Sequence, residues 1–294
     1  MPEDVATIRQ FNRTVTRRLG VLNEKYLGRD RPLVESRLLF EIGSKGAPVR
    51  ALRERLGLDS GYVSRLLRTL EHKGLAITTK LTGRDGRARF ARLTRSGQTE
   101  LRRINALSDA LAQSMLTPLT AEQGARLVSA MGEVDRLLRG SAIELSAVPP
   151  EDPDAQWCLG RYFEELGARF PEGYDRDTDA GGDLDDFRSP KGCFLLAALF
   201  GEAVGCGAIR TFAPRIGEIK RLWVAPEVRG LGVGRKLLEG LERAARKRRM
   251  SAVRLDTHES LTEAQSLYRN SGYHEIERFN DNAYAHHWFE KSLD

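Results

Sequence analysis

The chain has 294 residues, 40% of them apolar, enough for two domains that each bury their own core. No run of about 18 apolar residues occurs and the opening MPEDVATIRQF lacks an apolar signal core, so a membrane span is excluded and a soluble, cytoplasmic protein is expected. Three widely spaced cysteines (Cys158, Cys193, Cys206), without a CxxC or a nearby His pair, argue against a disulfide framework and against a metal site.

The net charge of +6 is unevenly divided. Residues 1–140 carry 26 Lys+Arg against 15 Asp+Glu, net +11, and residues 141–294 carry 21 against 26, net −5. A basic front half favours a polyanion such as nucleic acid. Three prolines and two acids between Ser146 and Pro153 mark a linker, placed at 141–152, although Ala142 to Val148 also suits a first strand of the second domain.

In chain order, Val5 to Leu27 and Leu33 to Ser44 have helical apolar spacing, and Pro48 can open a third helix to Leu56. Gly57-Leu58 then makes a tight turn, and Asp59 or Ser60 can cap a fourth helix to Lys73. On it Val63, Leu66, Leu67 and Leu70 form the buried stripe, leaving Ser60, Tyr62, Ser64, Arg65 and Arg68 on the other faces. Two short helices about a glycine turn predict a helix-turn-helix, whose second helix enters the major groove. Leu75 to Thr94 reads as a hairpin around Gly83-Arg84-Asp85-Gly86, with Arg84, Arg87 and Arg89 near its tip. Gln98 to Ser114 and Ala121 to Gly140 are two closing helices.

This order, with the GRDGRARFARLTRSG segment, resembles the MarR family of winged-helix regulators over residues 1–140. The resemblance implies a homodimer built by the terminal helices and a palindromic DNA partner. Ser60, Tyr62, Ser64, Arg65 and Arg68 would then face bases and phosphates, with Arg84 and Arg87 in the wing and Asp85 orienting an arginine. A module that serves only for dimerisation is the alternative.

In the back half, Gly173 to Gly192 is rich in Asp and Gly and too long for an idle loop. The segment RGLGVGRK, Arg229 to Lys236, looks built to hold an anion. A Walker A loop needs Lys-Ser/Thr after its last glycine, and Arg235-Lys236-Leu237 stands there instead. A Rossmann GxGxxG needs glycine at Arg235, and the acid at Asp256 is then a coincidence. Arg229, Gly232 and Gly234 do satisfy Arg/Gln-x-x-Gly-x-Gly/Ala, after the strand GEIKRLWVAP and before a helix from Val233 to Arg249 with Leu237, Leu238, Leu241, Ala244 and Ala245 inward. The strand Val253 to Thr257 and the helix Leu261 to Ser271 come next, with Tyr268, Gly272 and Tyr273, and Ala285 to Lys291 closes the chain as a strand.

These motifs resemble the GNAT acetyltransferases over residues 153–294, an α/β fold with a mixed central sheet and acetyl-CoA as cosubstrate. The poorly marked first strand lacks that family's usual opening. The resemblance implies that Arg229, Gly230, Gly232, Val233, Gly234 and Arg235 hold the pyrophosphate, and that Leu222 and Val224 pair with the pantetheine arm. The Val224 N–H would face the reacting carbonyl, Tyr268 would protonate the leaving thiolate, and Glu218 or a water chain would take the proton of an amine acceptor. The acceptor is expected to be a small amine, an amino acid or a protein lysine, and the acids from Asp175 to Asp186, with Glu172, could attract a cation. His258, after the strand Val253 to Thr257, could approach the substrate, although a solvated loop residue is the favoured reading. His286 and His287 face opposite ways, so at most one lines a pocket. Arg246 to Arg249 is a solvated helix end that could also meet the 3′-phosphate of the cofactor. A back half that only senses acetyl-CoA is the alternative to an enzyme.

Overall fold

A computed structural model describes residues 2–21, 26–28, 31–80, 89–171, 173–175 and 182–293. The chain divides into two compact units, Met1–Gly132 and Glu133–Asp294. Arg84, Arg87, Asp85 and Glu172 lie outside the described residues.

In the first unit, helix α1 (Pro2–Arg18) precedes α2 (Leu33–Ile42), and the short strand β1 (Ala47–Pro48) leads into α3 (Val49–Leu56). Gly57 closes α3 in the left-handed conformation at φ 62°, which a side chain would resist. Asp59 then caps α4 (Ser60–His72), its carboxylate accepting from the Tyr62 N–H at 2.9 Å. All four residues of the expected stripe on α4 are buried, with Val63, Leu67 and Leu70 fully inside. Strands β2 (Ala76–Lys80) and β3 (Arg89–Leu93) pair antiparallel from Ala76↔Leu93 to Lys80↔Arg89, and β1 joins on the far side of β3. Thr94 caps α5 (Arg95–Leu116) through the Gly97 N–H at 3.0 Å and ties back to the Gly74 carbonyl at 2.7 Å. A Cβ on Gly97 would sit 1.9 Å from the Leu75 carbonyl oxygen, so the glycine of the Thr-Arg-Ser-Gly segment lets helix and strand touch. Helix α6 (Ala121–Ser141) runs through the division between the units.

The second unit is a seven-stranded mixed sheet in the order β4-β5-β6-β7-β8-β10-β9. Its edge strand β4 (Ile143–Ala147) pairs with β5 (Gly192–Leu199), so the segment expected as a linker over 141–152 carries the alternative reading, a first strand. Its alternation of Ile143, Leu145 and Ala147 with Glu144 and Ser146 suits an edge strand with one face toward solvent. Helix α7 (Pro153–Arg169) follows, capped by Asp152. Strand β6 (Glu202–Ala213) is buried without interruption from Val204 to Ile209, the signature of a strand covered on both faces. Strand β7 (Ile216–Val224) lies antiparallel to β6 and parallel to β8 (Ala252–Thr257). Between them runs α8 (Val233–Lys247), which buries Leu237, Leu238, Leu241 and Ala245 while Ala244 is half-buried. Helix α9 (Thr262–Asn270) and strands β9 (His274–Ile276) and β10 (His287–Ser292) complete the unit, β10 pairing with both β8 and β9.

Two local features open this sheet. The β7–β8 pairing covers only Ile216↔Ala252 to Glu218↔Arg254, after which β8 continues to pair with β10 while β7 turns away. Arg221 stands at φ 57°, where the β6–β7 register also slips between Cys206 and Ala208. A left-handed residue within a slipped ladder is a β-bulge, and a bulge bends its strand.

Candidate functional site

The opening between β7 and β8 leads into a cleft of about 550 Å³, lined by Leu222, Val224, Arg229, Gly230, Gly232, Val233, Gly234 and Arg235, together with Tyr162, Glu165, Trp223, Leu267 and Tyr268. All eight residues expected to bind the cofactor therefore meet in one place. Ala225 donates its N–H to Val204 of β6 at 2.9 Å, so by strand alternation the backbone groups of Val224 and Leu222 point the other way, into the opening.

The three glycines of the loop have two separate tasks. Gly230 and Gly232 are left-handed, at φ 82° and 81°, which lets the loop fold tightly and start α8. Gly234 has an ordinary φ, and a Cβ there would press to 3.1 Å from Leu267. Gly232 caps α8 without a side chain, so the helix N–H groups are available to an anion, reinforced by the helix dipole.

The loop cations behave differently from one another. Arg229 does not reach into the phosphate position as a free charge. Its guanidinium grips Glu165 of α7 at 2.8 and 2.6 Å and donates to the Val224 carbonyl at 3.1 Å. Glu165 also accepts from the Trp223 indole at 2.9 Å. Burial opposes ionisation of Glu165, but the hydrogen bonds from Trp223 and Arg229 and the Arg229 charge hold its carboxyl below the ordinary range. Lys236 turns back to the carbonyls of Gly140 at 2.8 Å and Ile143 at 3.3 Å. Arg235 is exposed and lines the cleft, leaving it as the loop's adjustable charge. The basic run Arg246 to Arg249 stands at the far end of α8, about 20 Å from the loop at 1.5 Å per residue over this 15-residue helix.

A second, smaller cavity of about 80 Å³ shares Tyr162, Leu166, Leu222, Leu261, Ala264 and Tyr268 with the cleft. Tyr268 is thus at the junction of the two. It is 6% exposed, and burial, with smaller contributions from Tyr162 and Asp256, raises its hydroxyl well above the ordinary phenol value. The rest of the small cavity is formed by Phe170, Tyr174, Tyr284, His258, Thr257, Ile219, Lys220, Arg221, Asp256 and Asn282.

Glu218 lines neither cavity. It is fully buried, with Oε2 held by Arg210 at 2.7 Å and Oε1 by Asn280 at 2.9 Å and Lys220 at 3.2 Å. Both of its oxygens are therefore occupied by partners within the fold. Glu218 thus stands behind Lys220 and Asn280, and its neighbours Ile219 and Lys220, not Glu218 itself, reach the wall of the small cavity. Lys220 connects Glu218 to Asp256, which takes the ammonium through both oxygens at 2.8 Å and also accepts from Asn280 at 2.7 Å and Asn282 at 3.2 Å.

Sequence reasoning underrated His258. It is 3% exposed, stacks on Phe170 at 4.0 Å, and receives the Ser260 N–H on Nδ1 at 3.0 Å, which places its own proton on Nε2. His286 lies just before β10, edge-on to His258 at 4.5 Å, and His287 bonds Glu275 at 2.6 Å; neither lines a cavity. Two acids of the Asp-rich loop have cationic partners within the fold. Asp186 reaches Arg210 at 3.5 Å and Asp185 reaches Arg188 at 3.2 Å and Lys191 at 3.3 Å.

Among the described residues no group of three or more His, Cys, Asp or Glu side chains could hold a metal ion, and no helix is long and apolar enough to cross a membrane. In the first unit Ser60, Arg65 and Arg68 are exposed along α4, with Tyr62 and Ser64 half-buried beside them. The Arg65 guanidinium lies 5.6 Å from the Tyr62 ring centre.

A family model of the GNAT acetyltransferases matches residues 159–273, and one of the MarR family matches residues 29–88. The chain is 37% identical over 119 residues to a protein of Azospirillum brasilense described as an IAA acetyltransferase, covering 40% of this chain and 78% of that protein. It is 31% identical over 150 residues to an uncharacterised N-acetyltransferase of Schizosaccharomyces pombe, covering 50% and 91%. Among solved structures, a GNAT-family acetyltransferase from Staphylococcus aureus is 21% identical, covers 52% of this chain and 100% of that chain, and has a TM-score of 0.46.

Proposed function

The chain belongs to the GNAT acetyltransferase family and carries a MarR-family domain ahead of it, and from that premise we propose a regulator that binds palindromic DNA as a homodimer and acetylates an amine from acetyl-CoA. The observation that carries the enzymatic half is the convergence of all eight loop and strand residues on one cleft that meets a second cavity at Tyr268.

Acetyl-CoA supplies an activated acyl group on a thioester. The left-handed Gly230 and Gly232 and the uncapped start of α8 suit its pyrophosphate, with Arg235 as the adjustable charge. Arg229 acts as a strut between α7 and the end of β7, fixing the loop rather than neutralising the ligand. Leu222 and Val224 offer backbone groups to the extended pantetheine arm, and the Val224 N–H is the donor for the carbonyl oxygen as it gains charge. Tyr268, kept protonated by burial, gives its proton to the departing sulfur. Deprotonation of the acceptor amine runs through water in the small cavity, since Glu218 is closed off from it.

For the first unit, the net charge of +11 over residues 1–140 and the polar face of α4 support DNA binding. Val5, Ile8 and Phe11 on α1 are 55%, 59% and 44% exposed, and Val128 and Met131 on α6 are 56% and 44% exposed. Apolar helix faces of this kind need a cover, and a second copy of the chain supplies it.

Release of free thiol from acetyl-CoA across a panel of amines and amino acids tests the enzymatic half, and turnover of none of them would sink it. A salt-sensitive shift of palindromic genomic fragments tests the DNA-binding half.

A further inference from the structure

The basic run Arg246 to Arg249 ends beside the turn from β6 to β7, at the end of α8 far from the glycine loop. Ser251 donates its N–H to the Arg215 carbonyl at 2.8 Å, which holds that turn against the one from α8 to β8. Here a groove of about 680 Å³ is lined by Pro190, Thr211, Arg215, Arg248, Arg249 and Met250. Its described lining holds three arginines and no carboxylate. Residues 141–294 as a whole carry net −5, so this local positive charge is not a general property of the second half.

The arginines there have different tasks. Arg246 donates to the Leu293 carbonyl at 3.2 Å, and Arg248 donates to the carbonyls of Ala244 at 3.1 Å and Gly192, so both satisfy backbone acceptors. The side chains of Arg215 and Arg249 are exposed and, among the described residues, make no hydrogen bond or ion pair. Asp185 and Asp186 reach Lys191, Arg188 and Arg210, and neither of these two arginines. Both arginines also stand in the left-handed region, at φ 61° and 59°. Pro214 and Arg215 form the two-residue tip between the paired Ala213 and Ile216. Arg249 ends α8, with its N–H on the Arg246 carbonyl at 2.9 Å and the Met250 N–H on the Ala245 carbonyl at 3.1 Å. Glycine is favoured after proline in such a tip and at the left-handed end of a helix. Two adjacent turns thus carry arginine where glycine would form the turn with less strain.

Resting on the DNA-binding reading for the identity of the partner, we propose that this groove is a further, sequence-independent contact to duplex DNA, with Arg215 and Arg249 each binding a backbone phosphate. A guanidinium pairs with phosphate oxygens through two parallel hydrogen bonds. The described lining has no aromatic ring on which an unpaired base could stack, which favours the phosphates of a duplex over a single strand. It also lacks the apolar enclosure that holds a small ligand, since both arginines are exposed. Contacts of this kind add affinity and salt dependence without reading sequence.

The test is fluorescence anisotropy of the full chain with a labelled duplex of arbitrary sequence over a salt series. Arg215→Gly combined with Arg249→Gly removes both charges while both left-handed turns stay accessible, so thermal unfolding should show a fold at least as stable as the parent. The expected result is a salt slope smaller by about two, and affinity near about 0.1 M salt lower by roughly tenfold or more. Arg215→Lys with Arg249→Lys keeps the charge and should retain most of the slope. A slope unchanged by the glycine pair overturns the proposal, as does an equal loss in the lysine pair. An unchanged slope in the glycine pair beside a reduced one in Arg65→Ala overturns the groove contact alone. Absence of duplex binding by the parent chain overturns the DNA-binding reading beneath it as well. Inorganic pyrophosphate is the small-anion probe. Calorimetric binding of pyrophosphate that the glycine pair abolishes, with duplex affinity unaffected, would assign the groove to a small phosphate ligand and overturn the DNA contact.

Discussion

The Lys236 ammonium donates to the carbonyl of Gly140 at 2.8 Å, joining the last turn of α6 to the first turn of α8. The same glycine lies so near the loop that a Cβ on it would stand 2.8 Å from the Leu231 carbonyl oxygen. A lysine in a glycine-rich loop invites assignment to a phosphate, but here it satisfies the carbonyls at the end of a helix.

Gly140→Ala is therefore expected to displace Leu231 and weaken acetyl-CoA binding by about tenfold, with little change in folding, because the clash is backbone against backbone at the loop. Calorimetry with acetyl-CoA measures it, and unchanged affinity would mean that the loop tolerates the shift.

Arg229 is a geometric strut, so charge alone should not replace it. Arg229→Lys keeps the charge but loses the two-pronged grip on Glu165. It is expected to weaken acetyl-CoA binding nearly as much as Arg229→Gln, and Glu165→Gln to shift it in the same direction. Near-normal binding by the lysine variant would return Arg229 to the role of a plain phosphate cation.

Tyr268→Phe is expected to leave acetyl-CoA affinity nearly intact and lower turnover by roughly 10²-fold or more, as for a lost general acid. Burial raises the Tyr268 pKa above its ordinary value of 10.0, so the hydroxyl keeps its proton at every pH below that value. The pH–rate profile should consequently show no basic limb below pH 10 that disappears in Tyr268→Phe. Such a limb would contradict the buried, protonated tyrosine.

Glu218→Gln separates a base from a buried counter-ion. It removes one anion from each of Arg210 and Lys220, which keep Asp186 and Asp256, so the cost expected is that of weakened charge-assisted hydrogen bonds, about 1.5–3 kcal/mol of stability. Thermal unfolding should reveal that loss, while the pH dependence of the folded enzyme's turnover stays where it was. A stable variant with abolished turnover would restore Glu218 as the proton acceptor.

On the DNA side, Arg65→Ala is expected to weaken binding to a palindromic site and, where Arg65 contacts a phosphate, to reduce the salt slope by about one. An unaltered shift across a salt series would place the contact surface elsewhere than α4.

Much of this protein was determined by local sequence. Helical spacing, the Asp59 cap and Gly57 are sufficient for the helix-turn-helix, because capping and left-handed turns are decided within a few residues. The same holds for the glycine loop from Arg229 to Lys236, whose two left-handed glycines and following helix form one continuous stretch. The first strand stayed an alternative to a linker in the sequence because the partner of edge strand β4 lies about 50 residues later, at Ile143↔Leu199. The site residues that only the tertiary structure decided are those joined across long separations. Glu165 meets Arg229 and Trp223, Asp256 meets Lys220, and Phe170 meets His258. Glu218 shows the same dependence in reverse: its residue type permits a base, but Arg210 and Asn280, brought in from a neighbouring strand and a distant loop, close it off. Local chemistry names which groups can react, and the long-range packing that sets burial and partners determines which of them face the substrate.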